Sequence, residues 1–226
     1  MHYSNIQRAT FLRRPNRFIA YIEVDGREEV CHVKNTGRCR ELLTDRATIY
    51  VEHHDNPKRK TKYSLIAVEK GDLLINMDSQ APNKVVGEWL LEKEPFGKVT
   101  LLKPECTYGS SRFDFYLETE AEKIFIEVKG VTLEEDGIVR FPDAPTERGV
   151  KHLEELCACV EAGYKAVVIF VVQMEGMQHF EPNEKTHPQF GEALRQARKA
   201  GVEVLAYECK VTPSSLEITK SIPVML

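Results

Sequence analysis

The chain has 226 residues, of which 42% are hydrophobic and 29% are charged, a composition typical of a folded globular protein. Its formal net charge is −4, and its longest apolar run, Ala166–Val172, is far shorter than the roughly 20 residues of a membrane-spanning helix. No apolar signal-peptide core follows Met1, so we expect neither export nor a membrane partner and predict a cytoplasmic protein.

Short extended segments separated by turns are predicted over the first 80 residues. Asp25-Gly26 is a strong hairpin dipeptide between two of them. Five or six strands with little helix indicate a small barrel of the OB type, although strand count alone leaves other barrels open. We expect residues 1–80 to form an OB-like nucleic-acid-binding domain. The predicted strands are Ile6–Leu12, Phe18–Val24, Glu28–Val33, Ala47–Glu52, Tyr63–Glu69 and Leu73–Asn76.

Helices and strands alternate over residues 81–226. Ala81-Pro82-Asn83 is interpreted as a break before the first helix, and the apolar run Tyr164–Gln173 predicts a strand buried on both faces. The order α-β-β-β-α-β-α-β indicates a mixed sheet flanked by helices, and hence an α+β protein of two domains. The predicted helices are Lys84–Glu94, Thr146–Glu161 and Pro188–Ala200, and the strands are Val99–Leu102, Arg112–Leu117, Ile124–Val128, Tyr164–Gln173 and Val202–Tyr207.

Charge is distributed unevenly between these two parts. Residues 1–80 contain 14 Lys and Arg against 11 Asp and Glu, a net +3, and residues 81–226 contain 17 against 24, a net −7. This asymmetry suits a nucleic-acid-binding part joined to a carboxylate-rich catalytic part.

A hairpin in the second part carries the strongest chemical signal. Glu127 and Lys129 are two residues apart on one predicted strand, so both project from the same sheet face, and Phe125 shares that face. Asp114 lies on the preceding strand, within reach of Glu127 across the hairpin. Two carboxylates and a lysine on one face predict a Mg²⁺ or Mn²⁺ site with Asp114 and Glu127 as ligands. The ammonium of Lys129 would orient water or neutralise developing charge.

The alternative interpretation is a solvated strand edge. An acid-x-Lys triplet occurs by chance in a chain this charged, and Glu208-Cys209-Lys210 is a second example. No partner strand that carries another acid is predicted for that triplet, whereas the triplet at Glu127 has Asp114. From the residues alone, the metal site and the solvated edge both remain open.

The helix after the hairpin presents a second polar group. Its apolar face is predicted to contain Val150, Leu153, Cys157 and Val160. The opposite face would carry Arg148, Lys151, His152 and Glu155, which could reach over the carboxylates and bind phosphate. The other interpretation is a solvated face on which Lys151 and Glu155 pair one helical turn apart.

Basic residues of the first part are candidate phosphate contacts. Tyr21 and Tyr63 could stack on bases in the groove of an OB barrel. Asn35-Thr36-Gly37-Arg38 is typical of a tight turn that presents Arg38. The candidate DNA contacts of the whole chain are Arg13, Arg14, Arg17, Lys34, Arg38, Arg40, Lys58, Arg59, Lys60, Arg148 and Lys151.

Several long motifs resemble the sugar fermentation stimulation protein A (SfsA) family. These are Asn35–Leu43, Ser111–Phe115, Ile126–Val131 and Phe141–Gly149, with Lys151–Leu156 continuing the last. The resemblance spans nearly the whole chain. It implies an OB-like domain followed by a domain similar to PD-(D/E)xK restriction-type nucleases.

That resemblance also implies roles for single residues. Asp114, Glu127 and Lys129 match the D…ExK core, and Glu88 matches an extra helix acid of part of that superfamily. Arg112-Phe113-Asp114 stands where the superfamily has Pro-Asp. The family is described as DNA-binding with little sequence preference and with a proposed regulatory role in sugar (maltose) metabolism.

Two functions follow as hypotheses. The first is a metal-dependent DNA nuclease that uses Asp114, Glu127, Lys129 and Glu88. The second is a regulatory protein that binds DNA through a nuclease fold without cleaving it. A carbohydrate-binding module finds no aromatic platform, because the single tryptophan, Trp89, is predicted on the apolar face of a helix.

Overall fold

A computed structural model of the chain describes residues 1–35, 37 and 39–226. Within those residues the amino-terminal strands form one sheet in the order β3-β2-β1-β4-β5-β6. A parallel pairing of β3 with β5 closes the strands β1 to β5 into a five-stranded barrel, and β6 pairs with β5 at the edge of the sheet. The strands are β1 (Ile6–Asn16), β2 (Ile19–Val24), β3 (Arg27–Val33), β4 (Thr48–His53), β5 (Tyr63–Lys70) and β6 (Leu73–Asn76).

The hairpin between β2 and β3 shows how the sequence specifies this barrel. Asp25 and Gly26 both adopt positive φ, at 50° and 73°, as the predicted two-residue turn requires. Along β2, buried and half-buried residues alternate, and Ala20 and Ile22 are completely enclosed. The period of two places one face of each strand in the barrel core.

The carboxyl-terminal domain is a mixed sheet between helices. In the described residues the sheet has the order β15-β14-β12-β9-β8-β7, with β9, β12 and β14 parallel and the outer pairs antiparallel. A small second sheet joins β10, β11 and β13. The elements are α1 (Ala81–Lys93), β7 (Val99–Tyr108), β8 (Ser111–Thr119), β9 (Lys123–Val131), β10 (Leu133–Glu135), β11 (Ile138–Phe141), α2 (Glu147–Glu161), β12 (Lys165–Val172), β13 (His179–Pro182), α3 (Pro188–Lys199), β14 (Glu203–Thr212) and β15 (Ser215–Ser221).

The helices cover both faces of the large sheet. Helix α1 packs with Ile126 and Val128 of β9 on one face, and α2 and α3 pack with Phe125 and Phe170 on the other. Strand β12 lies between them and is buried along almost its whole length, as its apolar run predicted. In the part of the chain that the structure describes, no helix is long and apolar enough to span a bilayer.

Several predicted elements were wrong or incomplete. Ala81-Pro82-Asn83 is the first turn of α1 and not a break, because the first turn of a helix tolerates a proline. Strand β7 continues to Tyr108 through mostly exposed residues that lack the apolar alternation of a strand. The short strands β10, β11 and β13 and the carboxyl-terminal β15 were missed.

A buried polar junction joins the two domains. Gln173, which follows β12, accepts a hydrogen bond from the main-chain N–H of Asn76 (3.0 Å) through its own main-chain carbonyl. Its side-chain amide donates to the Oδ1 and main-chain oxygens of Asn76, both at 2.9 Å, and to the carbonyl of Asp78 at 3.2 Å. Nearby, the ammonium of Lys70 donates to the carbonyl of Glu134 at 2.6 Å and pairs with its carboxylate.

Candidate nuclease site

Asp114 lies where the β8–β9 ladder ends. The paired residues run from Glu118 opposite Lys123 to Phe115 opposite Ile126. At the next position the carboxylate of Asp114 accepts the main-chain N–H of Val128 (2.7 Å) through Oδ2. Its Oδ1 accepts the side-chain amide of Asn83 on α1 (2.6 Å). Two other elements, β9 and α1, therefore hold the carboxylate of this β8 residue.

Glu127 is enclosed in the sheet, with a relative exposure of 3%. Its Oε1 accepts hydrogen bonds from the ammonium of Lys129 (2.6 Å) and from Nδ1 of His152 on α2. Its Oε2 is buried and has no hydrogen-bond partner among the described residues. A buried carboxylate oxygen without a partner calls for an explanation, and a bound cation would be one.

The pKa values of Asp114 and Glu127 are shifted in opposite directions. Burial raises the pKa of Asp114, and the negative charge of Glu127 raises it further. Burial also acts to raise the pKa of Glu127, but the hydrogen bond from His152 and the charge and hydrogen bond of Lys129 outweigh it and lower that pKa. Ionised Asp114 is thus destabilised by burial and by the nearby charge of Glu127, and a bound cation would offset both effects.

A cation site at this pair of carboxylates stays a prediction. Among the residues that the structure describes, no three His, Cys, Asp or Glu side chains form a ready-made metal cage. A cation bound here would take Asp114 and Glu127 as ligands and complete its shell with water or substrate oxygens, as Mg²⁺ commonly does. The unpartnered Oε2 of Glu127 is the natural point of attachment.

Glu88 lies further along α1 and is half exposed. Its carboxylate pairs with the amino group of Met1 at 2.7 Å. It also lines, together with Asp114, a groove of about 420 Å³ between α1 and β7. Glu88 therefore borders the site on one side while its charge is paired elsewhere, and its catalytic role stays a prediction.

The four polar residues predicted on α2 form two separate pairs, Arg148 with His152 and Lys151 with Glu155. His152 was expected opposite the apolar face, but it is only 4% exposed and points at Glu127. Nε of Arg148 donates to Nε2 of His152 (3.2 Å). The predicted apolar face is wrong by about one residue, because His152, Leu156 and Cys159 are buried in place of Cys157.

Lys151 and Glu155 pair one helical turn apart, as the second interpretation predicted, but the side chain of Glu155 is only 17% exposed and is not part of a solvated face. Nζ of Lys151, with half its side chain exposed, lies 4.0 Å from Glu155. The carboxylate of Glu155 also accepts the hydroxyl of Ser110 at the β7–β8 turn. A phosphate contact by Lys151 stays a prediction.

Several basic side chains of the barrel are engaged within the protein. Arg13 forms a two-point ion pair with Glu28 (2.8 and 2.7 Å) and stacks over the ring of Tyr21 at 3.9 Å. The guanidinium of Arg14 donates to the carbonyls of Asn35, Arg17 and Gly37, so it fixes the loop after β3. Lys34 pairs with the fully buried Asp78 at 2.7 Å. Their roles as DNA contacts stay predictions.

The remaining predicted DNA contacts of the barrel that the structure describes are exposed. They are Arg17, Arg40, Lys58, Arg59 and Lys60, the last three in the loop between β4 and β5. Arg38 lies outside the described residues. Tyr63 is only 8% exposed, so the prediction that it stacks on bases was wrong, whereas Tyr21 is half-buried beneath Arg13.

The functional residue that sequence reasoning missed is Asn83. It orients Asp114 from the first turn of α1, the segment that was interpreted as a break. Its sequence signal was its position directly before the helical periodicity, at the same end of the helix as Pro82. His152 was singled out, but for the wrong face of its helix.

Comparisons with known proteins identify both halves of this architecture. Residues 12–77 match a family model described as the SfsA N-terminal OB domain. Residues 80–215 match a model described as the sugar fermentation stimulation protein RE domain. The chain belongs to the SfsA family. The predicted order of an OB barrel followed by a mixed-sheet domain of restriction-endonuclease type is thereby confirmed.

Full-length SfsA relatives share this sequence closely. The sugar fermentation stimulation protein homolog of Clostridium beijerinckii is 60% identical over 226 residues and covers 100% of both chains. The homolog of Desulfitobacterium hafniense is 58% identical and covers 100% of this chain and 99% of its own. A solved structure of Pyrococcus furiosus SfsA in complex with Ca²⁺ has a TM-score of 0.87 at 27% identity, covering 100% of this chain and 98% of that one.

Proposed function

We propose that this SfsA-family protein is a divalent-metal-dependent nuclease that acts on DNA with little sequence preference. The observation that carries the proposal is the unpartnered, buried Oε2 of Glu127 beside the carboxylate of Asp114, with the ammonium of Lys129 on the same strand. An SfsA relative has been solved with Ca²⁺, which supports a divalent-cation site in this fold. Mg²⁺ or Mn²⁺ is the cofactor we propose.

The chain contributes ligands, orientation and charge to this reaction. Asp114 and Glu127 would hold the cation, and Asn83 and the N–H of Val128 fix the direction of Asp114. When bound, the cation supplies acidification of a water molecule and stabilisation of charge on the attacked phosphate. Lys129 would neutralise negative charge that grows in the transition state, where one such contact is worth roughly 10²–10³-fold in rate.

The barrel would hold the nucleic acid. Arg17, Arg40 and the loop Lys58–Lys60 present exposed cations that suit phosphate contacts without base readout. The half-buried ring of Tyr21 is the remaining candidate for stacking on a base. On α2, Arg148 and Lys151 would extend this cationic surface toward the carboxylates. The regulatory role in sugar metabolism that the family name suggests would follow from DNA binding.

Cleavage assays test the proposal directly. Labelled single-stranded, duplex and branched DNA would be incubated with the protein, with and without Mg²⁺ or Mn²⁺, beside Asp114→Ala. We expect metal-dependent cleavage that this variant lacks, and a calorimetric Mn²⁺ site that disappears with it. Metal binding without cleavage of any DNA would favour the second hypothesis, a regulatory protein that only binds DNA. Mn²⁺ binding that survives in Asp114→Ala would contradict the site itself.

A further inference from the structure

We propose that His152 is the positioning residue of this site and that Arg148 holds its imidazole in one tautomer. His152 would keep Oε1 of Glu127 occupied, so that Oε2 stays directed at the cation. The inference rests on the proposed metal site and adds to it two residues that do not touch the metal.

The hydrogen bonds specify the tautomer. An ionised carboxylate accepts and cannot donate, so Nδ1 of His152 must carry the proton that faces Glu127. The guanidinium of Arg148 can only donate, so the Nε2 atom that it contacts at 3.2 Å must offer a lone pair. Both contacts are satisfied by a neutral imidazole with the proton on Nδ1. The other tautomer breaks both of them.

The ring has little freedom to leave this position. Its side chain is 5% exposed, and it packs edge-on against the ring of Phe113, with the two ring centroids 6.1 Å apart. The start of α2 is fixed by Thr146, whose hydroxyl accepts the N–H of Gly149 at 3.1 Å. A short, capped and packed helical turn therefore sets the direction of the Nδ1–H bond.

The consequence falls on the two oxygens of Glu127. Lys129 and His152 both direct their protons at Oε1, and Oε2 has no hydrogen-bond partner among the described residues. Rotating the carboxylate would remove both hydrogen bonds from Oε1. An outer partner that orients a ligand in this way typically contributes 10–100-fold to metal affinity.

A purely space-filling histidine would predict different behaviour. Asparagine can place its side-chain amide near Nδ1, glutamine places its amide near Nε2, and leucine fills similar space without a donor. If His152 positions Glu127, metal affinity depends on where the donor lies. If His152 only fills the core, metal affinity depends on packing, and none of the donor positions matters.

The test measures Mn²⁺ affinity by calorimetry on the full chain with thermal unfolding in parallel. We expect His152→Leu and His152→Gln to lose on the order of 10–100-fold in affinity. His152→Asn should remain within a few-fold of the parent. His179→Leu on β13, a half-buried histidine away from the site, is the control and should bind like the parent.

Nitrogen-15 spectra of the labelled imidazole give a readout independent of activity. We expect a protonated Nδ1 and an unprotonated Nε2 in the parent protein, and a mixture of tautomers in Arg148→Leu. A parent imidazole protonated on Nε2, or equal Mn²⁺ losses in the Asn, Gln and Leu variants, would overturn this inference while leaving the metal site standing. A parent protein that binds no Mn²⁺ would remove the proposed function and this inference with it.

Discussion

The ammonium of Lys129 lies 2.6 Å from Oε1 of Glu127, the same oxygen that faces His152. Both side chains of this pair project from one face of β9, and the pair is largely enclosed. Lys129 and Glu127 thus form an ion pair in this structure, and a cation bound at Glu127 would lie beside the positive charge of Lys129.

We therefore expect Lys129→Ala to separate DNA binding from cleavage. DNA affinity should stay nearly unchanged, because one ammonium among many basic groups adds little to ground-state binding. Turnover should fall roughly 10²–10³-fold, because the contact is made mainly in the transition state. Lys123→Ala at the exposed start of the same strand is the matched control and should cleave normally. Full cleavage by Lys129→Ala would point to a different active site.

DNA affinity should depend strongly on salt. If about six phosphates are contacted, affinity should fall on the order of 10³-fold between 50 and 200 mM salt. The double variant Lys58→Gln/Lys60→Gln should reduce the slope of log affinity against log salt by roughly 0.9 for each phosphate that it no longer neutralises. Lys199→Gln, an exposed lysine at the end of α3, should leave the slope unchanged. Tight, salt-insensitive binding to one DNA sequence would contradict this prediction.

Gly130 lies in the carboxyl-terminal domain against Gln173, at a position where a side chain does not fit. A Cβ atom there would lie 2.6 Å from Oε1 of Gln173 and 2.8 Å from Cγ of Pro82. We expect Gly130→Ala to lower the free energy of unfolding by about 1–3 kcal/mol through overpacking. Gly87→Ala on α1 is the control, because its Cβ would meet only the ring of Phe115 at 3.4 Å. Chemical unfolding measures the stability of both variants. Equal stability would show that the neighbours of Gly130 move to accommodate a Cβ atom.

The Lys70–Glu134 pair should make stability depend on pH. Burial acts to raise the pKa of Glu134, but the hydrogen bonds from Lys70 and from the N–H of Gly137 bring it below its ordinary value of 4.5. Because the pKa of Glu134 is lower in the folded state, the pair stabilises the fold fully at pH values above 4.5. This stabilisation is lost as the pH falls through the folded-state pKa.

Accordingly, Glu134→Gln should be less stable than the parent by about 1 kcal/mol at neutral pH. The difference should shrink as the pH falls below about 4.5. Denaturant titrations at several pH values measure it, with Glu135→Gln, whose carboxylate is largely exposed, as the neighbouring control. A difference that persists at low pH would indicate a packing defect and not the absence of a charge.

The sequence predicted most of this fold because its signals are local. Turn residues such as Asp25-Gly26 and the apolar run of β12 specify their elements without information from elsewhere in the chain. The alternation along β9 placed Glu127, Lys129 and Phe125 on one face correctly. What remained out of reach depends on tertiary contacts.

His152 shows why. The hydrophobic pattern of α2 predicts that this histidine lies on the solvent-exposed face. The neighbouring residues give no sign that the buried carboxylate of Glu127 lies opposite it. The same holds for Asn83, whose amide has a partner only once β8 folds beneath α1. Polar residues buried for a site break the amphipathic pattern, so the site is where pattern-based prediction errs.

The junction at Gln173 means that the two domains, although separate in sequence, depend on each other for stability. Cutting the chain near residue 80 would divide no long flexible linker, because Asn76 and Asp78 are fully buried and bonded to a residue nearly a hundred positions later. Each half prepared alone would expose to water the amide groups that the other half buries in the intact chain. The barrel and the sheet domain are best regarded as two folds sharing one interior.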